Sequence, residues 1–187
     1  AGLTPLKVNM VVRRGVNETS IVPMARWARE IGATLRFIEY MDVGHSNGWR
    51  LDEVVTAADV RDAVTAVWPA EPAAPGYRGE VAGRWRYLDG AGEFGIISSV
   101  TMPFCRDCTR ARLSADGQLY TCLFAVTGLD VRSVLRDAAT DDAGLAAFLA
   151  DAWRSRDDRY SELRSLATVD REGRPDLPRV EMFAMGG

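Results

Sequence analysis

Cys105 and Cys108 stand two residues apart, and thirteen residues separate them from Cys122, the third and last cysteine of the chain. An odd cysteine count behind a first stretch, AGLTPLKVNM, that lacks the layout of a signal peptide speaks against a disulfide framework and for metal binding or redox chemistry. Two thiolates on a tight turn and a third on the far strand of a hairpin turning at Asp116-Gly117 suit either tetrahedral zinc or a cubane iron–sulfur cluster. A structural zinc needs four ligands, and the sole histidine, His45, lies sixty residues upstream of the pair. A 4Fe-4S cluster on three cysteines keeps one iron open for a small molecule. Cluster, zinc and ordinary redox or buried thiols all stay open on spacing alone.

Basic side chains surround these cysteines. If Arg110 and Arg112 share a strand, the period of two places both on one face, where two guanidinium groups call for an anion between them or for Asp and Glu partners elsewhere. Lys7 is the one lysine among 23 basic residues, a compact point charge of the kind phosphate sites use, or an ordinary strand lysine.

The elements that must position these groups begin with a strand at 6–12. A helix follows, capped at Thr19 or Ser20, with Pro23 in its first turn, Met24, Trp27, Ala28 and Ile31 on its inner face and Gly32 as its stop. A second strand at 35–40 completes a right-handed βαβ unit, which sets Glu39, Met41 and Asp42 at the carboxyl end where such units carry function. Thr56 caps a helix with Val60, Ala63, Val64 and Val67 inward. The proline-rich stretch 69–80 is expected to be an extended connection. Hairpins are expected at Asp89-Gly90 and Asp116-Gly117. Asp130 caps a short helix, and Thr140 opens another with Leu145, Phe148, Leu149, Ala152 and Trp153 as core. The final RVEMFAMGG reads as an edge strand.

With 187 residues, 47% hydrophobic, the chain can bury a substantial core, and no apolar run is long enough to span a bilayer. A cytoplasmic protein without membrane contact is expected. A net charge of -3 argues against general nucleic-acid binding.

The run FCRDCTRARLSADGQLYTCLF at 104–124 resembles the C-terminal cluster motif of the radical S-adenosylmethionine GTP 3′,8-cyclases, the molybdenum cofactor biosynthesis protein A family. RFIEYMDVG at 36–44, DDRYS at 157–161 and the terminal Gly186-Gly187 are similar to that family in the same order. The resemblance implies an α/β fold in which residues 1–45 are the last βα units of an incomplete TIM-like barrel and 46–187 form an α+β cluster- and GTP-binding subdomain. It implies a lyase in which a radical from S-adenosylmethionine removes the 3′ hydrogen of GTP and the carbon radical attacks C8, giving 3′,8-cyclo-7,8-dihydro-GTP for cyclic pyranopterin monophosphate synthase downstream. It further implies that Cys105, Cys108 and Cys122 hold a 4Fe-4S cluster whose open iron binds guanine. Lys7, Arg110 and Arg112 would contact GTP, and Arg36 and Met41 would lie near S-adenosylmethionine. Gly186 and Gly187 would enter the active site. No cysteine precedes Cys105, so the family's CxxxCxxC is not in this sequence, and the chain alone is expected not to start radical chemistry. The other reading is a non-catalytic three-cysteine iron–sulfur or zinc module of a truncated relative. An exposed barrel edge predicts self-association, with a homodimer among the expected partners.

Overall fold

A computed structural model describes residues 2–44, 46–167 and 179–185, with the backbone alone for 165–167. The chain forms two compact units, one of residues 2–41 with 49–108 and one of 42–48 with 109–185. Among the described residues no helix is long and apolar enough to cross a membrane.

The first unit is mixed α/β. Strand β1 (Lys7–Val12), helix α1 (Ile21–Glu30) and strand β2 (Thr34–Glu39) make the expected βαβ unit, with β1 and β2 parallel and Lys7 paired with Thr34. Helix α2 (Ala57–Thr65) follows, then β3 (Ala70–Ala73), β4 (Gly83–Tyr87) and β5 (Glu93–Ile97). The sheet runs β1-β2-β5-β4-β3; β5 is parallel to β2, and β4 is antiparallel to both of its neighbours.

Period-two alternation gives this sheet two unlike faces. Val12, Leu35, Phe37 and Phe94 are buried against α1 and α2, with Val60 and Val64 of α2 beneath them. Trp85 stacks on Phe94 at 6.3 Å, and Tyr87 approaches it at 5.3 Å. The alternate residues Lys7, Asn9, Thr34 and Arg36 lie on the other face, exposed or half-buried.

Several expectations need correction. Helix α1 buries Ile21, Ala25 and Ala28, whereas Trp27 is 41% and Ile31 48% exposed. The small alanines let the helix lie close to the sheet, so the inner stripe starts at Ile21. On α2 the stripe ends at Val64, and Val67 is exposed. The proline-rich connection is partly strand: residues 70–73 pair with β4, and Pro72 is tolerated because β3 is an edge. Residues 179–185 are no strand, since Met182–Met185 form a 3-10 turn.

In the second unit β6 (Arg112–Leu113), β7 (Gln118–Tyr120) and β8 (Leu129–Asp130) form an antiparallel meander. Gly117 sits at φ +86° in the first turn, and a Cβ there would lie 2.5 Å from the Cβ of Arg132. Helices α3 (Val131–Arg136), α4 (Asp142–Arg154) and α5 (Tyr160–Ala167) complete it. Asp130 caps α3 as expected, and Asp141 in place of Thr140 caps α4. Helix α4 buries none of its five expected core residues: Leu145, Phe148 and Ala152 are half-buried, Leu149 and Trp153 exposed.

Candidate functional site

In the first unit the cysteine pair is built by a backbone turn. Cys105–Asp107 form a 3-10 turn in which the Cys108 amide donates to the Cys105 carbonyl at 3.3 Å, and both cysteines are half-buried. The segment leading into this turn is fixed by Glu39, which is 2% exposed. Its carboxylate accepts from the amides of Val100 at 2.8 Å and Thr101 at 2.9 Å, from the Thr101 hydroxyl, and from the Ala57 amide at 2.8 Å where α2 begins. Position at a strand's carboxyl end pointed to function for Glu39, but a carboxylate saturated by four donors and closed to solvent is a structural staple.

On the open sheet face Arg36 donates through Nε to Asn9 Oδ1 at 2.9 Å. Beside it Gly95 leaves room for the side chain, since a Cβ there would lie 3.2 Å from Arg36 Cγ. The Asn9 contact engages Nε and sets the direction of the guanidinium fork. Lys7 is exposed one strand over, at the amino end of β1. Met41 is half-buried two residues past the end of β2.

In the second unit Arg112 pairs with Tyr120 across the β6–β7 ladder. The strand begins at Arg112, so Arg110 does not share it as expected: Arg110 lies two residues before β6 and Cys122 two residues past β7, both outside the ladder. Residues 110 and 112 are half-buried, 111 and 113 exposed. Cys122 Sγ accepts from the Phe124 amide at 3.4 Å, a bond that suits a sulfur carrying negative charge. Thr121, just before it, donates its hydroxyl to Asp158 at 2.5 Å.

Asp42 forms a constellation that the sequence named only in pieces. It is 6% exposed, and it accepts from Tyr160 Oη at 2.6 Å, from Arg179 Nη1 at 2.7 Å and from Arg164. Burial pushes its carboxyl up, but the charge of Arg164 and the bonds from Tyr160 and Arg179 outweigh burial and hold it below the usual range. The Tyr160 phenol is pushed up to about 12, first by burial and then by the bond and charge of Asp42. The network secures the last segment: Arg179 also donates to the Asp42 carbonyl at 2.6 Å, Val180 donates to the Ala125 carbonyl at 3.0 Å, and Glu181 accepts from the Ser46 amide at 3.1 Å. YMDVG and DDRYS thus meet at Asp42 and Tyr160, 118 residues apart in sequence.

Among the described residues no three Cys, His, Asp or Glu side chains are close enough together to hold a metal ion. What speaks for a metal here is the chemistry of the donors: three half-buried thiols free of disulfides, two on one tight turn and one beneath an amide. Half-buried thiols of this kind, two in the first unit and one in the second, are the donor chemistry that iron–sulfur clusters use. His45, Gly186 and Gly187 lie outside the described residues.

A family described as Molybdenum Cofactor Synthesis C matches residues 33–162, a span that holds all three cysteines and the Asp42–Tyr160 contact. A protein named GTP 3′,8-cyclase from Acidothermus cellulolyticus is 52% identical over 205 residues, covering 100% of this chain and 57% of the relative. One of the same name from Xanthomonas campestris pv. campestris is 51% identical over 187 residues, covering all of this chain and 52% of the relative. Another from Parasynechococcus marenigrum is 46% identical over 191 residues, again covering all of this chain and 52% of its own. The chain spans about half the length of the curated relatives it matches.

Proposed function

The chain belongs to the Molybdenum Cofactor Synthesis C family, and on that premise we propose that it supplies the nucleotide- and cluster-holding part of a GTP 3′,8-cyclase. The observation that supports the reading is that Arg110 and Arg112 are both half-buried where the chain enters the β6–β7 hairpin, whose second strand ends two residues before Cys122. Two guanidinium groups near a thiolate suit an anionic substrate bound at a cluster.

In this reading Cys105, Cys108 and Cys122 are the ligands of a 4Fe-4S cluster. When bound, a cluster on three thiolates supplies one iron without a protein ligand, a Lewis-acidic position for a purine nitrogen or oxygen. Arg110 and Arg112 take triphosphate oxygens as forked donors, and Lys7 adds a compact charge from the open face of the sheet. Arg36, aimed by Asn9, and Met41 serve S-adenosylmethionine in the complete enzyme. Strands β1 and β2 are the last strands of a barrel, and Gly186 and Gly187 enter the active site. The product passes to cyclic pyranopterin monophosphate synthase.

The test is anaerobic reconstitution of the chain with iron and sulfide, followed by paramagnetic resonance of the reduced protein with and without GTP. A cubane signal that GTP shifts is expected, with the shift lost in R110A/R112A and the signal lost in C122A. A silent protein that takes up zinc, or a cluster indifferent to GTP, refutes the reading.

A further inference from the structure

The DDRYS motif has no role in the reading above, yet it touches the chain on both sides of Cys122. Upstream, Asp158 Oδ2 accepts from the Thr121 hydroxyl at 2.5 Å, and Arg156 Nε approaches the same carboxylate oxygen at 3.3 Å. Downstream, the Tyr160 ring stacks on Phe124 with centroids 4.6 Å apart and planes 27° from parallel. Phe124 is 8% exposed, and its amide donates to Cys122 Sγ at 3.4 Å. Cys122 lies past the end of the β7 ladder, so no strand pairing fixes its backbone. The two motif contacts occur where the ladder stops.

We propose that Asp158 and Tyr160 are positioning residues for the Cys122 thiol, Asp158 fixing the backbone before it through Thr121 and Tyr160 fixing the backbone after it through Phe124. A metal-ligating thiolate needs its direction set by a surrounding layer of hydrogen bonds and packing, and these two contacts, with the Phe124 amide, form that layer within one unit of the fold. The roles are separable by chemistry. Asp158 acts as an acceptor, so it needs a hydroxyl at position 121. Tyr160 acts through its ring, so its hydroxyl, which serves Asp42, is dispensable for this purpose.

The assignment rests on the proposed cluster for its purpose, but its geometry is testable in the cluster-free chain. The rate of Cys122 alkylation by iodoacetamide is read by mass spectrometry, with Cys105 and Cys108 of the same molecules as internal references. D158A, T121V and Y160L are expected to raise the Cys122 rate relative to the references by about fivefold each, the opening that loss of one net hydrogen bond or packing contact allows. T121S and Y160F should stay within about twofold of the wild-type ratio. An unchanged ratio in D158A and Y160L, or three cysteines accelerating together, overturns the assignment, and equal ratios for Y160F and Y160L overturn the role of the ring. After reconstitution, the same variants should broaden the cluster signal if the wild type gives one. If the wild type takes up no iron, the proposed function fails while the alkylation ratios still decide this inference.

Discussion

Replacing Asp42 by asparagine removes a negative charge that the Arg164 and Arg179 guanidinium groups both contact in a nearly closed space. Asp42 is 6% exposed, and the side chains of Arg164 and Arg179 are 9% and 17% exposed. Breaking a buried ion pair by neutralising one partner costs about 3–5 kcal/mol, because the other charge stays buried without compensation. Asparagine keeps the shape and one acceptor oxygen, which places D42N near the lower end, about 3 kcal/mol. For a chain of this size each kcal/mol lowers the melting temperature by about 2–4 °C, so a drop of roughly 6–12 °C is expected at neutral pH. Scanning calorimetry of wild type and D42N measures it. D52N, on the exposed Arg50–Asp52 pair, is the control expected to change little.

The pH dependence adds a second criterion. A carboxyl whose folded pKa is depressed stabilises above its unfolded value, about 3.9, and that contribution is lost as pH falls through the folded value. The gap between wild type and D42N should therefore close below about pH 4. A D42N melt within about 2 °C of wild type at neutral pH, or a gap that persists undiminished in acid, refutes the reasoning.

Two further outcomes are expected. In E39Q the amide nitrogen faces donors that now have no acceptor, and urea unfolding should show a loss of about 2–4 kcal/mol; a loss below about 0.5 would remove the staple from the account. Tyr160, pushed up to about 12, contributes stability that is complete below its unfolded pKa of about 10 and lost as pH rises through the folded value. Melting temperatures across that alkaline window should fall more steeply for wild type than for Y160F, and parallel curves would contradict the assignment.

Much of the fold was legible in the sequence where local periodicity is strong. The βαβ unit, both Asp-Gly hairpins and the Thr56 and Asp130 caps follow from patterns spanning fewer than about 20 residues. Residues 70–73 were missed because prolines mark turns and edge strands alike. Trp27 misled because its size suggested burial, while Ala25 and Ala28 make the contact. At the candidate site, the strand carrying Arg112 was legible because an Asp-Gly turn sets hairpin register, but it starts at Arg112 and leaves Arg110 outside. The Asp42 network was not, because its partners come from 118 to 137 residues away and no local pattern links them. Its only signal was the separate appearance of YMDVG and DDRYS as motifs.

The order β1-β2-β5-β4-β3 has a consequence for how the sheet meets other chains. At one border β3 is four residues long and interrupted by Pro72, which cannot donate a hydrogen bond, so another strand gains little by docking there. At the other border β1 is six residues long, free of proline and carries Val11 47% exposed. Growth of this sheet is therefore directional: a strand that joins it, from the same polypeptide or another, joins along β1, beside Lys7 and Asn9.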